Sequence, residues 1–160
     1  MARVYWLMKT EPDVYSIGDL ARERRGRWEG VRSYQARNHL RQMKVGDLAL
    51  FYHSSTIPPG VAGLARVCTE AEPDPTQFDP KSPYHDPKST RDAPRWSLVH
   101  VEFVEKFREL VTLERLKSDR ALADMLVTRR GMRLSVQPVE PTHFRRVLEL
   151  AGAKTPVPKR

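Results

Sequence analysis

The stretch from Pro73 to Pro94 constrains this chain most. Six prolines (Pro73, Pro75, Pro80, Pro83, Pro87 and Pro94) fall within it, and aliphatic residues are few. Proline lacks an amide N–H and holds φ near −65°, so neither a helix nor an interior strand runs through such a segment. Both flanks read as strands, Val61 to Val67 before it and Trp96 to Val104 after it. The segment is therefore a long irregular loop inside one domain and not a linker between two. Loops of this length in small domains are usually functional or mobile. A chain of 160 residues fits one domain, or one with a long insertion. It buries roughly two-thirds of its unfolded surface without a metal or disulfide staple. At 39% hydrophobic and 30% charged residues it is globular and not disordered.

The remaining elements follow from periodicity. Val4, Trp6 and Met8 alternate with Arg3, Tyr5 and Leu7, which predicts a strand over 3–9, broken by Glu11-Pro12-Asp13. Ser16 with Asp19 three residues on predicts a capped helix over 16–24, ended by Arg25-Gly26-Arg27. Ser33 is a second cap. Behind it Ala36, Leu40 and Met43 form an apolar stripe, Arg37, Arg41 and Lys44 a cationic ridge, and Tyr34 and Asn38 a third face of a helix over 34–44. Leu48 to His53 and Val61 to Val67, joined by Ser54 to Gly60, predict a hairpin. In the strand from Trp96 to Val104, Val99, Val101 and Phe103 share one face. One or two short helices are expected over 112–125, and a strand over 133–139. A helix opened by Pro141 and stopped by Gly152 follows, and then a flexible basic tail over 153–160. The architecture is α+β with a strongly curved or closed sheet.

Charge narrows the partner class. No apolar run approaches the ~20 residues of a membrane span, so no membrane partner is expected. The N-terminal apolar stretch is too short for a signal peptide. The lone Cys68 excludes an internal disulfide and a cysteine-based zinc site, and a reducing cytosol is the expected location. Lys and Arg total 28 against 20 acids, a net charge of +8 with arginine supplying 20 of the cations. Residues 22–46 and 129–160 carry +6 each, while 1–21 and 47–128 sum to −1 and −3. A polyanion partner accounts for this excess, and so does a GC-rich genome. If the fold joins the two stretches, they form one basic face.

Catalytic patterns are lacking. His53-Ser54-Ser55 sets a base beside hydroxyls, but neighbours on a strand point to opposite faces. There is no Gly-x-Ser-x-Gly elbow, no H-x-x-x-H or H-E-x-x-H pair among five histidines, and no glycine-rich phosphate loop. Tyr84-His85-Asp86 reads as a loop turn. No catalytic residue, metal or cofactor is expected. The segment Trp28-Glu29-Gly30-Val31-Arg32-Ser33-Tyr34-Gln35-Ala36-Arg37-Asn38 instead concentrates aromatics, amides and arginines. Trp28 and Tyr34 are suited to stack a nucleobase, Gln35 or Asn38 to read its edge, and Arg32 and Arg37 to hold phosphates. A plainer reading has Trp28 anchoring the loop in the core and Asn38 capping a turn.

That segment closely resembles the signature of the EVE domain family. Tyr5-Trp6-Leu7-Met8-Lys9-Thr10-Glu11-Pro12 resembles the family's opening strand. Gly46-Asp47, Phe51-Tyr52-His53-Ser54 and Gly60-Val61-Ala62-Gly63 resemble its central hairpin. Tyr84-His85-Asp86-Pro87, Trp96-Ser97 and Arg133-Leu134-Ser135-Val136-Gln137-Pro138 complete an ordered set over about residues 4–150. The resemblance implies a PUA-like fold over 1–152, a small curved β-barrel flanked by short helices. Its plan is similar to that of YTH and SRA domains, which grip a flipped, modified base. It further implies a non-enzymatic reader of a modified base, such as a modified cytosine, in DNA or RNA; a cytoplasmic monomer is expected. Carried over position by position, the base pocket is Lys9, Thr10, Trp28, Val31, Ser33, Tyr34, Asn38, Tyr52, His53, Ser54, Trp96, Arg133, Ser135 and Gln137. Phosphates fall to Arg32, Arg37, Arg41 and Lys44, with Arg145 and Arg146 as weaker choices. The family pattern most often has Asn where Ser33 stands and Ser where Thr10 stands. An RNA-binding module acting on tRNA or rRNA, and a small-molecule or nucleotide sensor, are the alternative readings.

Overall fold

The computed structural model describes residues 4–156. Its centre is a mixed sheet of six strands that curls into a half-barrel: β1 (Tyr5–Thr10), β2 (Arg25–Arg27), β3 (Leu48–His53), β4 (Gly60–Val67), β7 (His100–Thr112) and β8 (Val136–Val139). Two short strands, β5 (Glu72–Pro73) and β6 (Ser97–Leu98), pair apart from it. The order across the large sheet is β2-β7-β4-β3-β1-β8. Only β1 and β3 run parallel, with Tyr5 opposite Leu48 and Thr10 opposite His53. Their C-terminal ends therefore emerge side by side, which positions the site described below. Four helices cover the sheet: α1 (Ile17–Glu23), α2 (Tyr34–Gln42), α3 (Leu113–Ser118) and α4 (Pro141–Ala151).

The strand alternation builds two cores. Tyr5, Leu7, Leu50 and Tyr52 pack with Phe107, Phe144, Val147 and Leu148 under α4. Trp6, Met8 and Phe51 pack with Leu20, Trp28 and Leu40 under α1 and α2. With both faces buried, β1 is apolar along both registers, as central strands are. Curling needs β4 and β7 to approach closely. Register shifts fall between Val61 and Gly63 and between Leu64 and Ala65, and a Cβ on Gly63 would strike the Glu105 carbonyl.

The caps form as the sequence predicts. Ser16 Oγ accepts from the Asp19 N–H at 3.0 Å, and Asp19 returns the bond to the Ser16 N–H at 2.9 Å. Ser33 Oγ accepts from the Ala36 N–H. Gly152, at φ +60°, closes α4. Pro138 is accommodated because β8 is an edge strand.

Three segments differ from expectation. Arg25-Gly26-Arg27 does not simply end a helix but forms edge strand β2 against β7. The strand expected over 96–104 is split at Val99, whose carbonyl is taken by the Trp28 N–H at 2.8 Å. The second part then continues to Thr112. β8 starts at Val136 and not at Arg133, because the chain before it bends away to form one wall of a cleft.

The proline-rich loop is pinned by buried polar groups in place of aliphatic ones. Gln77, 0% exposed, donates to the carbonyls of Asp74 and Trp96 and accepts from the Ser89 hydroxyl and the Arg95 and Trp96 N–H groups. At the start of the expected tail, the Lys154 and Thr155 N–H groups donate to Glu105 at 2.8 Å each. Residues 157–160 of that tail, and Arg3 of the expected first strand, lie outside the described residues.

A cationic cleft at the ends of the parallel strands

The C-terminal ends of β1 and β3 open into a cleft of about 1080 Å³. That is the upper end of the about 300–1,000 Å³ usual for small-ligand sites, and ample for a nucleotide. Lys9 and Thr10 come from β1, Ser54 and Ser55 from the turn after β3, and Trp28 to Ser33 from the loop between β2 and α2. The bend before β8 adds Met132, Arg133 and Ser135, edge strand β2 adds Arg25, Gly26 and Arg27, and the proline-rich loop adds Tyr84. Glu11, Val14, Tyr15 and Glu23 complete the rim.

The walls are held by a buried carboxylate. Asp74, 0% exposed, accepts from the Gly30 N–H at 2.8 Å, Arg32 Nη1 at 3.1 Å, and the N–H and hydroxyl of Thr76. Burial alone would raise its pKa. The Thr76 hydroxyl, the Gly30 and Thr76 N–H groups and Arg32 together outweigh burial and hold it below the ordinary carboxylate value. Gly30 sits at φ +85° beneath the Tyr84 ring, where a Cβ would lie 2.7 Å from that ring. Arg32 also donates to the Tyr84 carbonyl and Thr76 Oγ1. It lines the cleft, but its guanidinium is spent on fastening the loop.

Trp28 is both buried and at the cleft. It is 6% exposed and meets Phe51 edge-on at 5.3 Å, so it is core, and it also forms one wall of the cleft. Lys9 is half-buried; its Nζ donates to the Met132 carbonyl at 3.1 Å and lies 5.6 Å from the Tyr52 ring centre. Burial lowers its pKa from the ordinary lysine value. Among the described residues, Arg27 pairs with Glu29 and Arg32 with Asp74, while Lys9, Arg25 and Arg133 have no carboxylate partner. The two basic stretches thus meet across the cleft, through Arg25 and Arg27 from one and Arg133 from the other.

Of the expected pocket, Lys9, Thr10, Trp28, Val31, Ser33, Ser54, Arg133 and Ser135 line the cleft. The others lie elsewhere. Tyr34 stacks on Trp96 at 4.8 Å beneath the Arg37 guanidinium. Trp96 is buried and donates its indole N–H to Asp86 at 2.7 Å. Asn38 Oδ1 accepts from Arg37, and Gln137 donates to the Leu134 carbonyl. Tyr52 belongs to the core under α4, where burial pushes its hydroxyl up to about 12. His53 Nε2 accepts from the Ile17 N–H at 3.1 Å, so it clamps the start of α1. Among the expected phosphate ligands outside the cleft, Arg37 donates to the Arg95 carbonyl and Arg41 to Ser97 Oγ, while Lys44 is exposed beside Arg41. Arg146 is paired with Asp119.

Sequence reasoning missed Tyr15, Arg25, Arg27, Ser55 and Met132 as cleft residues. For Tyr15 a signal existed: the Glu11-Pro12-Asp13 break directs the following residues over the end of β1. For Arg25 and Arg27 none did, because three residues are too few to show a strand period.

A curled mixed sheet with a polar, cation-lined cleft at the ends of its parallel strands defines a PUA-like ligand-binding domain. The EVE domain model matches residues 4–150, and the chain belongs to that family. Human thymocyte nuclear protein 1 is 42% identical, the match covering 91% of this chain and 73% of that protein. The crystal structure of human THYN1 in complex with 5-methylcytosine-containing DNA is 41% identical, with a TM-score of 0.88 over 94% of this chain and 99% of that one. A crystal structure from Pseudomonas putida is 50% identical, with a TM-score of 0.90 over 92% and 99%. The YTH domain of Zygosaccharomyces rouxii MRB1, at 14% identity and a TM-score of 0.54 over 93% and 86%, shares the fold alone. One expectation is corrected. The human relative is by name a nuclear protein, which overturns the cytosolic assignment. The lone Cys68 separates reducing from oxidising surroundings and does not separate nucleus from cytosol.

Proposed function

We propose that this chain binds a modified nucleobase of the methylated-cytosine class, extruded from nucleic acid into the cleft, and performs no chemistry on it. The observation that carries this reading is the human relative's complex with 5-methylcytosine-containing DNA, in a chain alike over nearly its whole length. The cleft supplies what such binding needs. Trp28 and Val31 give a rigid apolar wall, and Thr10, Ser33, Ser54 and Ser135 give hydroxyls for the base edge. Among the described residues, Lys9 is a donor without a carboxylate partner, and Arg25 and Arg133 have no acidic partner that would compete with phosphates. Extruding a base costs a few kcal/mol, which wall contacts and edge hydrogen bonds must offset. Ser33 lines the cleft while its Oγ accepts from the Ala36 N–H, which leaves its hydroxyl proton to donate to the base edge.

Fluorescence anisotropy with duplexes carrying cytosine, 5-methylcytosine or 5-hydroxymethylcytosine at one position tests the proposal. Binding is expected to favour a modified duplex and to weaken with salt. Replacing both Arg25 and Arg133 by Glu is expected to reduce the slope of log K against log salt by about 2. Equal affinity for all three duplexes with no salt slope would sink the reading.

A further inference from the structure

Among the described residues, the two large apolar side chains that stand furthest into solvent are Ile57, 99% exposed, and Val14, 62% exposed. Both are carried by segments that line the cleft. Val14 lines its rim, and Ile57 follows Ser54 and Ser55, which line it too. The segments that carry them are fastened to each other and to the sheet. The Ser54 N–H donates to the Thr10 carbonyl at 2.9 Å, and the Ile17 N–H donates to His53 Nε2 at 3.1 Å. At the far end of the loop the Leu113 N–H donates to the Pro59 carbonyl at 2.9 Å. Pro58 and Pro59 limit the backbone further. Ile57 therefore stands on a short arm tethered at both ends.

A single exposed aliphatic residue is ordinary on a protein surface. Ile57 differs in being exposed over nearly all of its surface on a short braced loop whose first residues, Ser54 and Ser55, line the cleft, and Val14, a second exposed aliphatic residue, lines the rim. The chemistry of a partner is set by the surroundings: Arg25 and Arg133 in the same cleft favour a polyanion, and an apolar side chain fits between the faces of stacked bases. Apolar wedges of this kind, isoleucine among them, part base steps in duplex DNA.

We propose that Ile57 is a wedge that enters the base stack of a DNA duplex at the step the modified base leaves, with Val14 packing against the neighbouring nucleotide. The assignment rests on the cleft being the base pocket. It adds how the duplex is opened there: the gap left in the stack is filled from the 54–59 loop.

The test compares the wild-type chain with Ile57→Ser and Ile57→Met on two probes. One is a duplex with a single 5-methylcytosine beside 2-aminopurine; the other is the same modified strand unpaired. A fully exposed side chain contributes little to folding, so all three proteins are expected to melt together. Ile57→Ser is expected to weaken duplex binding roughly ten-fold and to suppress the 2-aminopurine fluorescence rise, while single-strand binding changes less than about two-fold. Ile57→Met is expected to restore duplex binding. If Ile57→Ser binds the duplex like wild type, or loses both probes equally, the wedge is overturned and the base pocket stands. A wild-type chain that does not prefer the modified duplex to its unmodified counterpart overturns both.

Discussion

Single residues here carry two duties at once. Trp28 is a core aromatic and a cleft wall, so its position in the site is set by the same packing that folds α1 and α2 onto the sheet. Asp74 is the counterpart on the polar side: one carboxylate fixes Gly30, Arg32 and Thr76. Asp74→Ala leaves the Arg32 guanidinium without its partner and is expected to destabilise the chain by about 3–5 kcal/mol, read from urea unfolding. The carboxyl pKa is depressed on folding, so its contribution is full above the ordinary value of 3.8 and is lost as pH falls through the lower folded value. Acid unfolding of the wild type should therefore steepen below that pH, and Asp74→Ala should remove that part of the profile. The Trp28–Asn38 segment stood out in the sequence, and its first half, Trp28 to Ser33, lines the cleft while Tyr34 and Asn38 lie outside it. Its clamp was not legible there, because Arg32 and Asp74 are 42 positions apart in the chain and only the folded loop brings them together.

At the scale of elements, capping chemistry made α1, α2 and α4 readable, since Ser16, Ser33 and Gly152 each satisfy a helix end within their own neighbourhood. The β3–β4 hairpin was readable for the same local reason. β2 and the split between β6 and β7 were not, because both depend on partners: β2 on the β7 edge, and the split on a change of pairing, β6 with β5 and β7 with β2 and β4. His53 shows how such long-range contacts orient the site. Its Nε2 accepts the Ile17 N–H only when the imidazole is neutral, and burial, with the Lys106 charge, lowers its pKa from 6.5. A depressed histidine stabilises the fold above the unfolded pKa, and that stability is lost as pH falls through the lower folded value. Hydrogen-exchange protection of the Ile17 amide is therefore expected to fall as pH drops below about 6.5, more steeply than in His53→Gln, which keeps an acceptor that does not titrate. Identical profiles for the two proteins would remove the clamp.

For the whole molecule, the cations behind the net +8 include some held by partners within the fold and some that, among the described residues, have no acidic partner. Among the described residues, Arg25 and Arg133, from the two basic stretches, are left without acidic partners at one cleft. Arg32, Arg37, Arg41 and Arg146 instead hold the proline-rich loop, α2 and the turn after α3 in place. Charge counting along the sequence found the stretches; only the fold separates those two groups. The cleft at the ends of β1 and β3 is proposed to hold the modified base. A crystal structure of this chain with a duplex carrying one 5-methylcytosine tests it most directly. The modified base is expected out of the stack and in the cleft, against Trp28 and Val31, with duplex phosphates within hydrogen-bond reach of Arg25 or Arg133. A base still stacked in the duplex, with the DNA seated on the Arg37–Arg41–Lys44 ridge of α2, would contradict it.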